Sequence, residues 1–196
     1  MWPNHLAGVP VKARKGLGRQ AHLAVAVFLL TAVSADCGQS RDYEVPSDLC
    51  GVKLAADVLN PLYPNGEELE VEISFADFKV NFVARLCSVD VDGRQVIWGT
   101  TSSFEPADVI GAENLPVSLD EATLVPGAYE AMVWPGVAIA EAPCEIPEIM
   151  EQLTVALRVE YPKDEEESER VLGELIQPFM EGALAMVPCG EFGPES

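Results

Sequence analysis

Five cysteines constrain this chain more than any other feature, because bridges between them would tie distant parts of the fold together. They are Cys37, Cys50, Cys87, Cys144 and Cys189. Cysteines that occur in an even number in an exported domain indicate a disulfide framework, whereas an odd number leaves one to be explained. With Cys37 set aside, the other four can form two bridges in three different ways, or remain buried thiols. The first question is therefore whether the chain is exported, and what Cys37 does.

The first 36 residues have the organisation of a secretory signal peptide. Residues 1–22 carry four basic and no acidic residues, and residues 23–33 are an uncharged apolar run of eleven. A basic region, an apolar region of 7–15 residues and a short segment of small residues define such a peptide. The apolar run is shorter than the roughly 20 residues that a membrane-spanning helix needs. We predict a signal peptide over residues 1–36; the alternative is a buried helix of an intracellular protein.

The end of this leader is compatible with two processing routes. Cleavage after Ala35, which completes a small-x-small site, would start the mature chain at Asp36 and release the protein. Cleavage before Cys37 would instead allow lipidation there and hold the domain at the outer face of the cytoplasmic membrane. Asp36 argues against that route, since lipoproteins have a small uncharged residue before the cysteine. The even number of remaining cysteines and a polar tether over residues 37–48 favour lipidation of Cys37, which we predict.

Loss of the leader changes the charge and the chemistry of the chain. Residues 1–35 contain four of the 12 basic residues and none of the 32 acidic ones, so cleavage before Asp36 moves the net charge from −20 to −24. Such a surface repels nucleic acid and anionic lipid headgroups, leaving a cationic or envelope partner, or solubility alone. His5 and His22, the two histidines, also lie in the leader. Histidine-dependent nucleophiles and histidine-ligated metals are thereby excluded, and we predict no catalysis, no cofactor and no metal.

Residue patterns over 49–190 predict one globular domain, followed by a tail over 191–196. Apolar spacing predicts a helix from Ser47 or Asp48 to Asn60-Pro61. Alternation predicts a half-buried strand over 68–75. Further segments are a hairpin turning at Asp92-Gly93, a long connection over 103–125 with a short helix near 106–110, and two strands turning at Pro135-Gly136.

The last 46 residues give the clearest pattern. Residues 153–161 alternate apolar and polar side chains, which predicts a strand with Thr154 and Ala156 facing outward. A helix follows, capped by Asp164 and kinked at Pro178, with one apolar stripe. The stripe consists of Leu172, Ile176, Phe179 and Ala183. The whole pattern predicts an α+β fold, in which an antiparallel sheet of about five to seven strands carries helices on one face, including a long C-terminal helix.

This order of elements favours one pairing of the cysteines. Cys144 precedes the last strand, and Cys189 follows the helix that returns along it, so these two ends should meet. Cys50–Cys87 is then the second bridge. Closing loops of this length contributes about 4 kcal/mol each in the chain-entropy model.

Three short motifs have a functional and a structural interpretation. Trp98 and Trp134 could line a ligand groove, although aromatic residues on strands are more often core. Asp90–Gly93 resembles the start of a calcium loop, but it lacks the later ligands and suits a hairpin turn. Asp164–Glu167 could attract a cation, but acidic residues also stabilise a helix start. We favour the structural interpretation of each motif.

After the apolar leader come "PSDLCG" and, further on, "CSVDVDG". In this layout the sequence resembles small envelope lipoproteins of actinobacteria. The resemblance implies an exported or anchored extracytoplasmic domain and carries over no catalytic residue. We therefore expect a binding or envelope-associated module without catalysis. The alternatives are a glycan hydrolase with two carboxylates within about 10 Å of each other, and a carrier of a small apolar ligand.

Overall fold

The computed structural model describes residues 40–73 and 85–189. The described residues form an antiparallel seven-stranded sheet, a two-stranded hairpin and three α-helices. The strands are β1 (Asp48–Leu49), β2 (Val52–Lys53), β3 (Leu69–Ile73), β4 (Arg85–Val91), β5 (Arg94–Ser102), β6 (Thr123–Leu124), β7 (Glu130–Trp134), β8 (Val137–Ile146) and β9 (Met150–Val159). The helices are α1 (Ala56–Leu59), α2 (Pro106–Ala112) and α3 (Glu165–Ala185), and 3-10 turns cover Asn60–Leu62 and Leu119–Glu121.

The large sheet has the strand order β3-β4-β5-β9-β8-β7-β6, with every neighbouring pair antiparallel. Two of its hairpins turn where the sequence predicts. Asp92 and Gly93 both adopt positive φ, 51° and 70°, which a two-residue type I′ turn requires. Gly136 has a φ of 77° between β7 and β8. The predicted α+β class with an antiparallel sheet is thereby confirmed.

Helix α3 covers one face of the sheet and begins as predicted. The Asp164 side chain accepts a hydrogen bond of 2.9 Å from the Glu167 N–H, which satisfies one of the unpaired groups of the first turn. The predicted apolar stripe is buried against the sheet. The helix runs through Pro178 without interruption. Ser168 fixes its position further, because its Oγ accepts a hydrogen bond of 3.0 Å from the Gly136 N–H at the β7–β8 turn.

The opposite face of the sheet is covered over part of its width. Helix α2 and the segment after it place Val109 and Leu115 on β7, β8 and β9, in a second apolar cluster. Thr154 and Ala156, which the sequence predicts to face outward to solvent, are buried under this layer. The strand predicted from alternation is therefore present as β9, but the face predicted to be exposed to solvent is also covered at these two residues. The half of this face formed by β3, β4 and β5 carries no helix among the described residues.

The predicted helix before Asn60 is wrong over its first half. Residues 48–53 instead form the β1–β2 hairpin, in which Cys50 and Gly51 have φ values of 55° and 85°. A bridge from Cys50 to Cys87 of β4 anchors this turn. Helix α1 is consequently only four residues long.

Strand β3 occurs where predicted, but its apolar side chains are less buried than alternation suggests. Val71 and Ile73 are each 41% exposed. Strand β3 is the edge strand of the sheet within the described ranges, so fewer neighbours cover it. Ser74 and Phe75, the end of the predicted strand, lie outside the described residues.

Both predicted disulfides are confirmed. Cys50 and Cys87 join the small hairpin to β4, with Cα atoms 5.5 Å apart. Cys144 of β8 and Cys189 beyond α3 have Cα atoms 4.8 Å apart. The helix that leads to Cys189 therefore returns along the sheet, as the order of elements predicts.

Part of the segment predicted as a tether contacts the domain. The Arg41 guanidinium donates to the carbonyls of Pro64 (3.3 Å) and Tyr63, and the Tyr43 hydroxyl donates to the Pro64 carbonyl. The predicted cleavage site at Ala35 and Asp36, the predicted lipidation site Cys37 and the tail over 191–196 lie outside the described residues. In the part of the chain that is described, no helix is long and apolar enough to cross a membrane.

Candidate ligand-binding site

Four side chains form a single row that runs from β3 to β9, mostly over the half of the sheet that carries no helix among the described residues. Glu72 of β3 lies opposite Ser88 of β4, Ser88 opposite Trp98 of β5, and Trp98 opposite Arg158 of β9. Residues opposite each other on neighbouring strands share a face, and adjacent strands lie about 4.8 Å apart. The row therefore spans about 14 Å between its two ends. It has a carboxylate at one end, a guanidinium at the other and an indole between them.

A β-bulge adds a fifth side chain to this face. Val89 pairs with Ile97, but the next pair is Asp90 with Gln95, so Val96 is an extra residue in β5. Val96 and Ile97 both point into the core on the α3 side. Regular alternation would also have placed Gln95 toward the core, and the bulge turns it to the Trp98 side instead.

Gln95 links the members of the row into one network. Its Nε2 donates to Ser88 Oγ (2.9 Å), and its Oε1 accepts from Arg158 Nη2 (3.3 Å). Ser88 Oγ in turn donates to Asp90 Oδ2 (2.7 Å). The Arg158 guanidinium carbon lies 5.8 Å from the centre of the Trp98 ring, within the range of a cation–π contact. These contacts restrain the side chains of the row.

The row borders a concave surface, which we call the Trp98 groove and define by Glu72, Leu86, Ser88, Gln95, Trp98 and Arg158. Its cavity has a volume of about 340 Å³ and is lined by all of these residues except Arg158, which borders it through Gln95 and Trp98. Small-molecule pockets have volumes of about 300–1,000 Å³, so the groove suits a small ligand. Leu86 is 48% exposed and adds apolar surface beside the indole.

The chemistry of the Trp98 groove is that of recognition. The indole and Leu86 offer apolar contact, Arg158 offers hydrogen-bond donors, and Glu72 offers acceptors. The Ser88 hydroxyl donates to a carboxylate, and the described residues contain no histidine that could activate it as a nucleophile.

Trp134, the other aromatic residue for which the sequence offers a groove position as the alternative to the core, does not join Trp98 there. It is buried in the cluster beneath α2, and its Nε1–H donates to the Ser118 carbonyl at 2.9 Å. This bond satisfies the indole N–H, as is usual for a buried tryptophan. Trp134 therefore has a structural position, whereas Trp98 is half-buried at the margin of the same cluster.

The two acidic motifs take the structural roles favoured from the sequence. In Asp90–Gly93, Asp92 Oδ1 accepts hydrogen bonds of 2.9 Å from the N–H groups of Glu67 and Glu68. These backbone bonds hold the pKa of the Asp92 carboxyl below its usual range. Residues 165–167 form the first turn of α3, next to the capping Asp164. Within the described ranges, no group of three or more His, Cys, Asp or Glu residues is arranged to hold a metal ion.

A second, larger cleft was not predicted. Its volume is about 580 Å³, and it lies between the β5–α2 connection and the β8–β9 hairpin. Phe104 and Ile149, which are 57% and 45% exposed, line it. It also contains five carboxylates, those of Glu105, Asp108, Glu145, Glu148 and Glu151. These residues come from separate weakly patterned segments, so no local sequence signal brings them together.

A pair of carboxyl groups lines a third cavity, of about 430 Å³. Glu130 and Glu141 lie opposite each other on β7 and β8. Burial, followed by the hydrogen bond and the charge of Glu130, raises the pKa of Glu141. The two carboxyl groups therefore interact across one pair of strands.

Comparison with known proteins identifies no relative of this chain. No protein-family model, no curated protein and no solved structure matches it. Since a fold alone does not specify a function, the function has to be argued from the geometry of the site.

Proposed function

We propose that this chain is an exported, disulfide-stabilised binding domain that holds a small ligand in the Trp98 groove without catalysis. The observation that carries the proposal is the bulge at Val96, because it turns Gln95 out of the core and into the network of Ser88 and Arg158. Bulges are over-represented at sheet edges, at barrel rims and next to active sites, where they re-aim a side chain or end the pairing.

The remaining features are compatible with a position outside the cytoplasm. Two disulfides are typical of proteins from oxidising compartments. The basic and apolar leader favours export, with either lipidation at Cys37 or release after Ala35. The net charge of −24 that follows cleavage after Ala35 disfavours nucleic acid as a partner. A binding domain at the cell envelope fits all of these observations.

Nuclear magnetic resonance of the tryptophan indole groups tests the proposal. The disulfide-bonded protein is labelled with ¹⁵N, and the Trp98 indole signal is identified from the Trp98→Phe variant. Amino acids, short peptides, and mono- and disaccharides are then added class by class. We expect one class to shift the Trp98 signal while the Trp134 signal stays in place, and mass spectrometry to recover that ligand unchanged.

Gln95→Ala is the informative variant, because Gln95 is exposed and its loss removes the network without opening the core. We expect it to weaken binding at least tenfold at an unchanged melting temperature. Gln152→Ala, outside the groove, is the matched control and should bind normally. Shifts confined to residues of the 580 Å³ cleft would place the site there instead. A chemically altered ligand would show that the domain is an enzyme.

A further inference from the structure

We propose that the ligand of the Trp98 groove is a short peptide with free termini, whose ammonium group lies at Glu72 and whose carboxylate lies at Arg158. This inference rests on the proposed binding function and adds the chemical class of the ligand. It follows from the charges at the ends of the row, from the length of the row and from the apolar surface between its ends.

The two ends of the row carry opposite charges, and neither forms a salt bridge in the described ranges. The ion pairs found there are Lys163–Glu160, Arg170–Glu167 and Arg170–Glu174. Neither Glu72 nor Arg158 belongs to this set, although the charge of Arg158 also contributes, after the hydrogen bond from Lys163, to lowering the pKa of Glu160. Arg158 uses one N–H group on Gln95 and keeps further donors for a carboxylate, which it can bind in bidentate geometry.

The surroundings of Glu72 make its end of the row more negative. Glu70, two residues earlier on the same face of β3, lies opposite Asp90 of β4. Three carboxylates therefore lie near one another at this end, and Arg158 contributes a positive charge at the other. A ligand with one positive and one negative end is complementary to both, and it has one preferred orientation.

The length of the row selects the size of that ligand. The Cα atoms of Glu72 and Arg158 are separated by three strand spacings, or about 14 Å. An extended tripeptide is about 10 Å long, and the side chains of Glu72 and Arg158 can span the rest. A single amino acid is too short to reach both charges.

The middle of the groove is suited to one apolar side chain. Trp98 lies between the two charged ends, and Leu86, beside the row on β4, adds an aliphatic side chain to the lining of the groove. An uncharged saccharide could also stack on the indole, but it would leave both end charges without an ionic partner. The observations therefore favour a peptide with a central apolar residue.

Titration with the tripeptide Ala-Leu-Ala, observed through the Trp98 indole signal, tests the assignment. The peptide is used with free termini, with an acetylated N-terminus and with an amidated C-terminus. On the wild-type protein, we expect each blocked form to bind at least tenfold more weakly. In the Glu72→Gln protein, acetylation should no longer weaken binding. In the Arg158→Gln protein, amidation should no longer do so.

Two charge-matched controls lie on the helix that covers the other face of the sheet. Glu165→Gln and Arg170→Gln change the net charge by the same amounts, and both should retain the full effect of each blocking group. These two variants show whether a change in peptide binding comes from contact in the groove or from the net charge of the protein.

The possible results distinguish this inference from the proposed function. If blocked peptides bind as well as the free one, or if only saccharides move the Trp98 signal, the peptide assignment is wrong while the binding function stands. If no class of ligand moves that signal, both are wrong. If acetylation loses its effect only in Glu72→Gln and amidation loses its effect only in Arg158→Gln, the peptide assignment and the binding function are both supported.

Discussion

At the scale of single residues, Tyr63 is a buried polar group without a visible partner. Its side chain lies in the core, and its hydroxyl has no hydrogen-bond partner within the described ranges. Burial is the main cause that raises the pKa of this phenol, with the charge of Asp48 as a smaller one. An unpaired buried hydroxyl costs about 1–3 kcal/mol.

We therefore expect Tyr63→Phe to leave the free energy of unfolding unchanged or to raise it by about 1 kcal/mol. Tyr43→Phe is the matched control, because the Tyr43 hydroxyl donates to the Pro64 carbonyl. Its loss should cost about 0.5–1.5 kcal/mol. Urea unfolding of both variants measures the difference. A larger loss for Tyr63→Phe than for Tyr43→Phe would mean that the Tyr63 hydroxyl has a partner after all.

The Glu130–Glu141 pair predicts a dependence of stability on pH. The pKa of Glu141 is raised in the folded protein, first by burial and then by Glu130, so folding disfavours the ionised form. This cost is absent below the pKa of the unfolded chain, about 4.3, and it is complete once the pH exceeds the folded pKa. A variant without the Glu141 charge should therefore be more stable than the wild-type protein only at pH values above this range.

Glu141→Gln should raise the melting temperature by about 1–3 °C at pH 7, since a like-charged cross-strand pair costs about 0.2–1 kcal/mol. Below pH 4, the two proteins should melt together. Glu151→Gln, in the same cavity, serves as the control and should change little. An equal gain at pH 3 and pH 7 would show that the effect does not come from ionisation.

At the scale of elements, two glycines of α3 have opposite surroundings. A Cβ at Gly182 would lie 2.3 Å from Val52 Cγ1 in the β1–β2 hairpin, so the helix and the hairpin approach each other closely there. A Cβ at Gly173 would meet only Val125 Cγ2, at an ordinary 3.9 Å. Glycine inside a helix is about 0.5–1 kcal/mol less favourable than alanine when nothing else changes.

Gly173→Ala should therefore stabilise the protein by about 0.5–1 kcal/mol. Gly182→Ala should destabilise it, because overpacking costs about 1–3 kcal/mol and exceeds the gain in helix propensity. Chemical denaturation of both variants provides the comparison. Stabilisation by Gly182→Ala would show that the hairpin can move away from α3 at little cost.

Elements whose signals are local could be predicted from the sequence. The turn at Asp92-Gly93 follows from two residues that tolerate positive φ, and α3 follows from its cap and its apolar stripe. The β1–β2 hairpin could not be predicted, because the left-handed conformation of Cys50 occurs in a turn that a bridge to a distant strand anchors. The helical spacing of residues 52–59 is real but is overruled by that bridge.

The candidate site could be predicted from the sequence even less, because most of its residues are brought together by contacts between distant strands. Trp98 could be suggested from the sequence, because an aromatic residue on a strand suits either the core or a groove. Its neighbours Glu72 and Arg158 could not, since they meet only through the register of four strands. Gln95 reaches the groove only because of a bulge, and that insertion is set by the pairing of β4 with β5 rather than by the β5 sequence alone.

At the scale of the whole molecule, two bridges and two apolar layers hold the domain together. Cys50–Cys87 fixes the small hairpin to the sheet, and Cys144–Cys189 fixes the end of α3 to β8. All four of these cysteines are used, so Cys37 is left over by count. In an exported protein, this cysteine needs a fate of its own, and lipidation supplies one.

We expect the membrane fraction to contain a chain that begins at Cys37 and carries acyl groups, since each buried methylene stabilises anchoring by about 0.8 kcal/mol. Intact mass, with and without reductant, reads the start of the chain, the acyl groups and the two bridges together. Cys37→Ser should move the protein to the medium, whereas Ser34→Ala should not. Asp36→Ala should raise the lipidated fraction, because it removes the charge before the cysteine. Unmodified protein that begins at Asp36 and is found in the medium alone would establish release after Ala35 and leave the groove to act away from the membrane.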